Sequence, residues 1–260
     1  MRRRGIRRRV AVALVAGVVV ALVGAAAALA ITTQIGPLKV SATAEFEPRA
    51  FPAHGTLPTT FSSTVRIRSL NDKAPPGLKS LTFEFDKHGR INVKGVPTCT
   101  AAKLEGTTPS QARSRCAGAL VGTGVGKARV ELPGKAPFTM TSPISIFNAP
   151  PQGGEPTMIA HAWETVPTPQ ALLTEFSVEK INHGRYGYRT EISLPPIAGG
   201  DGVATLAEAS FGRTFKRGGR EVGYVEAECS GGRLQVYGRI SFVDGSHLQS
   251  LLSSPCHNES

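Results

Sequence analysis

One tryptophan and four tyrosines in 260 residues leave few rings on which a sugar or a base could stack. A carbohydrate or nucleic-acid surface normally draws on more of them. Metal-site spacing is also missing. None of the four cysteines forms a C-x-x-C pair and no histidine cluster accompanies them, so a structural zinc site is not expected. There is no G-x-S-x-G, which argues against a nucleophile elbow, and no H-E-x-x-H, which argues against a zinc protease. No cofactor motif is complete, and no cofactor is expected. Helical periodicity is scarce too, which removes α/β architectures built on alternating strands and helices.

The first nine residues, MRRRGIRRR, hold six arginines and no acid, and no charge follows from Val10 to Ile31. A basic head, an apolar run and small residues at Ala28-Leu29-Ala30 fit a signal peptide cleaved after Ala30. The run would also span a bilayer, which takes roughly 20 residues. Residues 1–30 are therefore read as a signal peptide or an N-terminal transmembrane anchor, with the alanines at 25–30 favouring cleavage. Either way the arginines stay on the cytoplasmic side and the rest is exported. The expected location is secreted, or anchored to the outer face of the cytoplasmic membrane through the N-terminal segment.

Export changes the meaning of charge and cysteine. The formal charge is +11, but six of the thirty basic residues lie in the leader, leaving twenty-four against nineteen acids, or +5. The remaining bases are scattered rather than clustered, so no nucleic-acid partner is expected. Weak contact with anionic envelope polymers is the partner chemistry that remains. Cys99, Cys116, Cys229 and Cys256 are an even set in an exported chain and imply disulfides. Four cysteines allow three pairings; sequence proximity favours Cys99 with Cys116 and Cys229 with Cys256.

Strand patterns dominate the rest of the chain. LKVSATAEFE (38–47) alternates strictly, with Leu38, Val40, Ala42, Ala44 and Phe46 on one face. FSSTVRIRS and LTFEF repeat the pattern, and further strand-like runs continue to the C-terminus, the last three reading as a meander. TPSQARSR, with Thr108 as cap and Pro109 in the first turn, predicts a short helix beside a shorter turn at 100–104. The fold expected is mainly β, an antiparallel sandwich or barrel with one or two short helices near 100–115. Residues 31–37 read as a linker and 38–260 as the extracytoplasmic β domain, with a split into two sub-domains near Pro150-Pro151 left open.

GTGVGK at 122–127 invites a phosphate-loop reading. Val121 stands where the first glycine belongs, Ala128 replaces the Ser or Thr, and Pro133-Gly134 leaves no room for a helix. With period two, Gly122, Gly124 and Gly126 instead share the small face of a strand. Each glycine there costs about 0.5 to 1 kcal/mol, so another backbone must come close or the sheet must bend. Pro97-Thr98-Cys99, a short helical insert and then RCAGALVGTGVGKARVELPGKAPF together resemble exported, strand-rich proteins of high-GC Gram-positive bacteria. That resemblance runs from about Gly36 to the C-terminus. It implies location and fold, and no catalytic residues.

Enzyme signals are thin. Ser177-Val178-Glu179-Lys180 matches S-x-x-K without its companion motifs. Asp244, Ser246 and His247 read as a polar turn rather than a triad. Glu226 and Glu228 share a strand face, as solvated pairs commonly do. Four residues are weak binding candidates: His161 and Trp163 on one strand face, and Tyr186 and Tyr188 on one side of YGYR. For the first pair, a core tryptophan beside a hydrogen-bonded histidine is the simpler reading. The functional expectation is a non-catalytic envelope or extracellular structural or binding protein. A hydrolase assembled from distant residues and a polysaccharide-binding module are the alternatives.

Overall fold

Strict alternation becomes strand wherever one face finds an interior. The computed structural model describes residues 31–259; the leader at residues 1–30 lies outside them. Twelve strands form one sheet: β1 (Ile31–Ile35), β2 (Leu38–Glu47), β3 (Thr60–Ser69), β4 (Leu78–Asp86), β5 (Leu120–Val130), β6 (Phe138–Gln152), β7 (Glu155–Glu164), β8 (Gln170–His183), β9 (Tyr186–Ser193), β10 (Gly202–Phe211), β11 (Arg233–Phe242) and β12 (His247–Pro255). The sheet runs β1-β2-β3-β10-β5-β6-β7-β8-β9-β4-β11-β12, with every adjacent pair antiparallel. It curls until its two ends meet in a nearly closed, barrel-like wall. At the seam, Leu38 and Val40 of β2 belong to the same apolar cluster as Leu248 and Leu252 of β12, without a shared ladder of hydrogen bonds.

Residues 31–37, expected as a linker, are β1 and its turn. β1 pairs with β2 from Ile31 opposite Ala42 to Ile35 opposite Leu38, and Gly36 takes the positive φ of 55° that the turn needs. The joint near 150 is no boundary, because Pro150 and Pro151 lie inside β6, which pairs with β7 in the same sheet. The expected meander also fails. β10 pairs with β3 and β5, β11 pairs with β4 and β12, and the residues between them leave the wall.

Those residues make a plug. Val225–Ala227 pairs with Leu57–Pro58 and with Arg90–Ile91 in a small three-stranded sheet at the end of the barrel that carries the long connections. Tyr224, 1% exposed, anchors it: its hydroxyl donates to Asn148 Oδ1 at 3.0 Å, and the Asn148 amide donates to the Val96 and Pro97 carbonyls at 3.3 and 3.1 Å. Burial pushes the Tyr224 hydroxyl pKa well up and keeps it a donor.

Outside the wall, helices α1 (Ala101–Leu104) and α2 (Pro109–Arg115) form where the sequence predicts them. Thr108 and Gln111 complete a capping box: the Gln111 N–H donates to Thr108 Oγ1 at 3.4 Å and the Thr108 N–H to Gln111 Oε1 at 2.9 Å. Cys99–Cys116 closes this insert, whose Leu104 and Ala112 pack with Phe147 and Ile159 of the sheet's outer face. Cys229–Cys256 ties the plug segment to the end of the last barrel strand. Among the described residues no helix is long and apolar enough to cross a membrane.

Candidate functional site

Inward-facing side chains of the barrel do not fill it. The lumen holds a cavity of about 270 Å³ whose surface is almost wholly apolar, with walls that include Phe83 and Phe85 of β4, Ile144 and Ile146 of β6, and Phe176 of β8. Alternation put these residues on inward faces; the size of the barrel left space between them. Thr190 of β9 also lines the lumen, is 5% exposed, and has no hydrogen-bond partner for its hydroxyl. A buried hydroxyl without a partner is uncommon in a native interior.

Charged groups sit at the two ends. At the plug, Glu226 accepts hydrogen bonds from Arg90 Nε at 2.8 Å, Thr56 Oγ1 at 2.9 Å and the Gly223 N–H at 3.2 Å. Burial raises its pKa, but those bonds and the Arg90 charge outweigh burial and hold the carboxyl below its ordinary value. At the far end, Glu164 is 1% exposed, accepts the Ala198 N–H at 2.8 Å and is bonded by Gln170. On the outer face Glu84 is also buried. It accepts Arg189 Nε and Nη2 at 3.0 and 2.7 Å and His183 Nδ1 at 2.9 Å, which together overcome burial and lower its pKa.

These two depressed carboxyls set an acid limit. A carboxyl whose pKa is lower in the fold than in the unfolded chain stabilises fully above the unfolded value, about 4.3 for Glu, and loses that contribution as pH falls through the folded value. The thermal midpoint is expected to be flat with respect to these groups above about pH 5.5 and to drop below about pH 4. Glu226→Gln combined with Glu84→Gln should make that drop shallower in a pH series of melting curves. An unchanged slope would show that these carboxylates do not set the acid limit.

His161 and Trp163 fall on the same, outer face of β7, since Ala160, Ala162 and Glu164 line the lumen. His161 has no exposure; it lies on the outer face under the insert, with Nε2 2.9 Å from the Thr107 carbonyl, which fixes Nε2 as the donor. Its Nδ1 has no partner. Trp163 is half-buried, and its backbone N–H donates to Ser142 Oγ at 2.9 Å. Tyr186 and Tyr188 do not share a side. The register shifts between them opposite Asp86 and Phe85, a bulge that turns Tyr188 into the lumen while Tyr186 stays outside, its ring 6.3 Å from that of Tyr237.

The remaining motifs resolve into structure. GTGVGK runs along β5 with no helix after it. Ser177 lies in β8, its Oγ 2.9 Å from Thr157 Oγ1. Asp244 Oδ1 accepts the Ser246 hydroxyl and N–H at 2.6 and 2.9 Å, bonds that lower its pKa and make the polar turn. Glu226 and Glu228 differ from the solvated pair expected, since Glu226 is 8% exposed and bonded into the plug. Nothing in the sequence near Glu226 signals this, because its partner Arg90 is 136 residues away. Among the described residues no group of His, Cys, Asp and Glu is arranged to hold a metal ion. Comparison with family models, with curated proteins and with solved structures finds no match.

Proposed function

We propose that this is an exported, non-catalytic binding protein that carries an apolar molecule in the lumen of its barrel, released or held at the outer face of the membrane by its leader. The apolar cavity carries the reading. Protein interiors are packed like organic crystals, with few voids larger than a water molecule. At about 24 cal/mol per Å³, keeping some 270 Å³ empty would cost on the order of 6 kcal/mol. Net stabilities are only about 5–15 kcal/mol. A hole of that cost is better explained by what enters it than by poor packing, and its surface offers water almost no partners.

Two oxidised disulfides accord with an exported carrier. The polysaccharide alternative needs an exposed row of rings. Here Trp163 is half-buried, Tyr188 faces the lumen, and Tyr186 has Tyr237 beside it. The hydrolase alternative needs carboxylates free to act, whereas Glu84, Glu164 and Glu226 are each occupied by structural donors.

The test is a fluorescent hydrocarbon probe titrated into the intact protein and into Ala160→Trp, whose indole would project from β7 into the lumen. The probe is expected to bind the native protein and to lose at least about tenfold in affinity on the variant, on the order of 1.4 kcal/mol. A variant that melts normally and binds equally well would rule out the lumen as the site.

A further inference from the structure

The lumen is long, and its ends differ. Along β8 it is lined from Leu172 to Val178, six residue steps of about 3.4 Å, or roughly 20 Å. At one end the turn at Ala198–Gly200 closes against Glu164, and Ala198 is wholly buried. The other end reaches Gly89, Arg90 and Gln235, and the Arg90 side chain is 54% exposed. Arg90, in the rim of the plug, thus both lines the lumen and reaches solvent.

Arg90 is held ready there. Its Nε donates to Glu226 and its Nη2 to Thr56, which fixes the plane of the guanidinium. An arginine has five N–H donors, so three remain without a protein partner among the described residues. The two carboxylates that line this end are already matched, Glu226 by Arg90 and Asp86 by Arg185.

We propose that the ligand is an anionic single-chain amphiphile, with its hydrocarbon tail along the lumen and a carboxylate or phosphate head on the free donors of Arg90. This rests on the lumen reading and adds the class of molecule and its direction of entry. A planar fork of donors suits both head groups, and the length of the apolar walls suits one extended chain. The far end holds Glu164, already bonded by the Ala198 N–H and by Gln170, and among the described residues no arginine lines the lumen there.

The experiment is displacement of the fluorescent probe from the intact protein by three chains of equal length: a fatty acid, an alkyl phosphate and the neutral methyl ester of the acid. Arg90→Gln alone would strand Glu226, so the variant is Arg90→Gln with Glu226→Gln; Arg90→Lys, which keeps the charge, is run beside it. The double variant is expected to weaken the acid and the phosphate by about 10- to 100-fold, the range for a hydrogen bond to a charged group, and to leave the ester unchanged. Arg90→Lys should keep a preference for acid over ester. The tighter of acid and phosphate identifies the head. Equal losses for acid and ester, or none, would overturn the assignment while leaving the lumen as a binding site. A native protein that takes up no chain at all would remove the lumen reading itself.

Discussion

Reduction of both disulfides is expected to unfold the protein, or to leave it so marginal that a small amount of urea does so. Cys99 and Cys116 are 17 residues apart and Cys229 and Cys256 are 27 apart. Chain entropy makes these cross-links worth about 3 and about 3.5 kcal/mol. Together, at about 6.5 kcal/mol, they exceed the lower end of the roughly 5–15 kcal/mol that a domain commonly has. The bonds also act in different places. Cys229–Cys256 holds the plug segment to β12, and the residues after it, His257–Glu259, pair in parallel with Ala50–Pro52. Cys99–Cys116 closes the insert on the outer wall, farther from the lumen.

Replacing Cys229 and Cys256 together by serine should therefore lower the urea midpoint and also weaken probe binding, because the plug loses its tie. The same change at Cys99 and Cys116 should lower the midpoint with little effect on binding. Urea melts of the two variants, with probe titrations, separate these effects. Midpoints that stay put in both variants would contradict the assigned role of the cross-links.

How much of this was legible in the sequence depends on how local each feature is. The alternation of residues 38–47 is a two-residue period, and β2 has those bounds. Thr108 and Pro109 signal the start of α2 from within four residues of the bonds they make. What the inward faces meet is not local. β3 pairs with β10 across more than half of the described chain, and alternation alone does not say whether the facing residues touch or leave a gap. A lumen and a filled sandwich core present the same pattern. The bulge that divides Tyr186 from Tyr188 is hidden for another reason: Gly187 is needed where a Cβ would lie 2.7 Å from Lys87 Cα, a contact invisible until β9 is laid beside the end of β4.

Gly124→Ala is expected to destabilise the barrel by about 1–3 kcal/mol, the usual range for overpacking, while Gly126→Ala two residues away should be neutral or better. Composition does not distinguish these two glycines; their neighbours do. A Cβ on Gly124 would stand 2.1 Å from the Glu208 carbonyl oxygen and 3.0 Å from Ala209 Cα, both backbone atoms of β10. No side-chain rotation relieves that contact, so either the β5–β10 ladder shifts or the strands separate. A Cβ on Gly126 would first meet Ile144 Cδ1 at 3.6 Å, an ordinary contact. There alanine brings the usual gain of about 0.5–1 kcal/mol over glycine in a strand. Gly124→Val should go further and prevent folding, since two more carbons would have to fit where one does not. Melting midpoints of the two alanine variants give the comparison directly. Similar midpoints would mean that glycine at 124 is retained for something other than the approach of β10. A loss at 124 alone would account for the glycine-rich run as the place where two strands of the barrel come too close for any side chain.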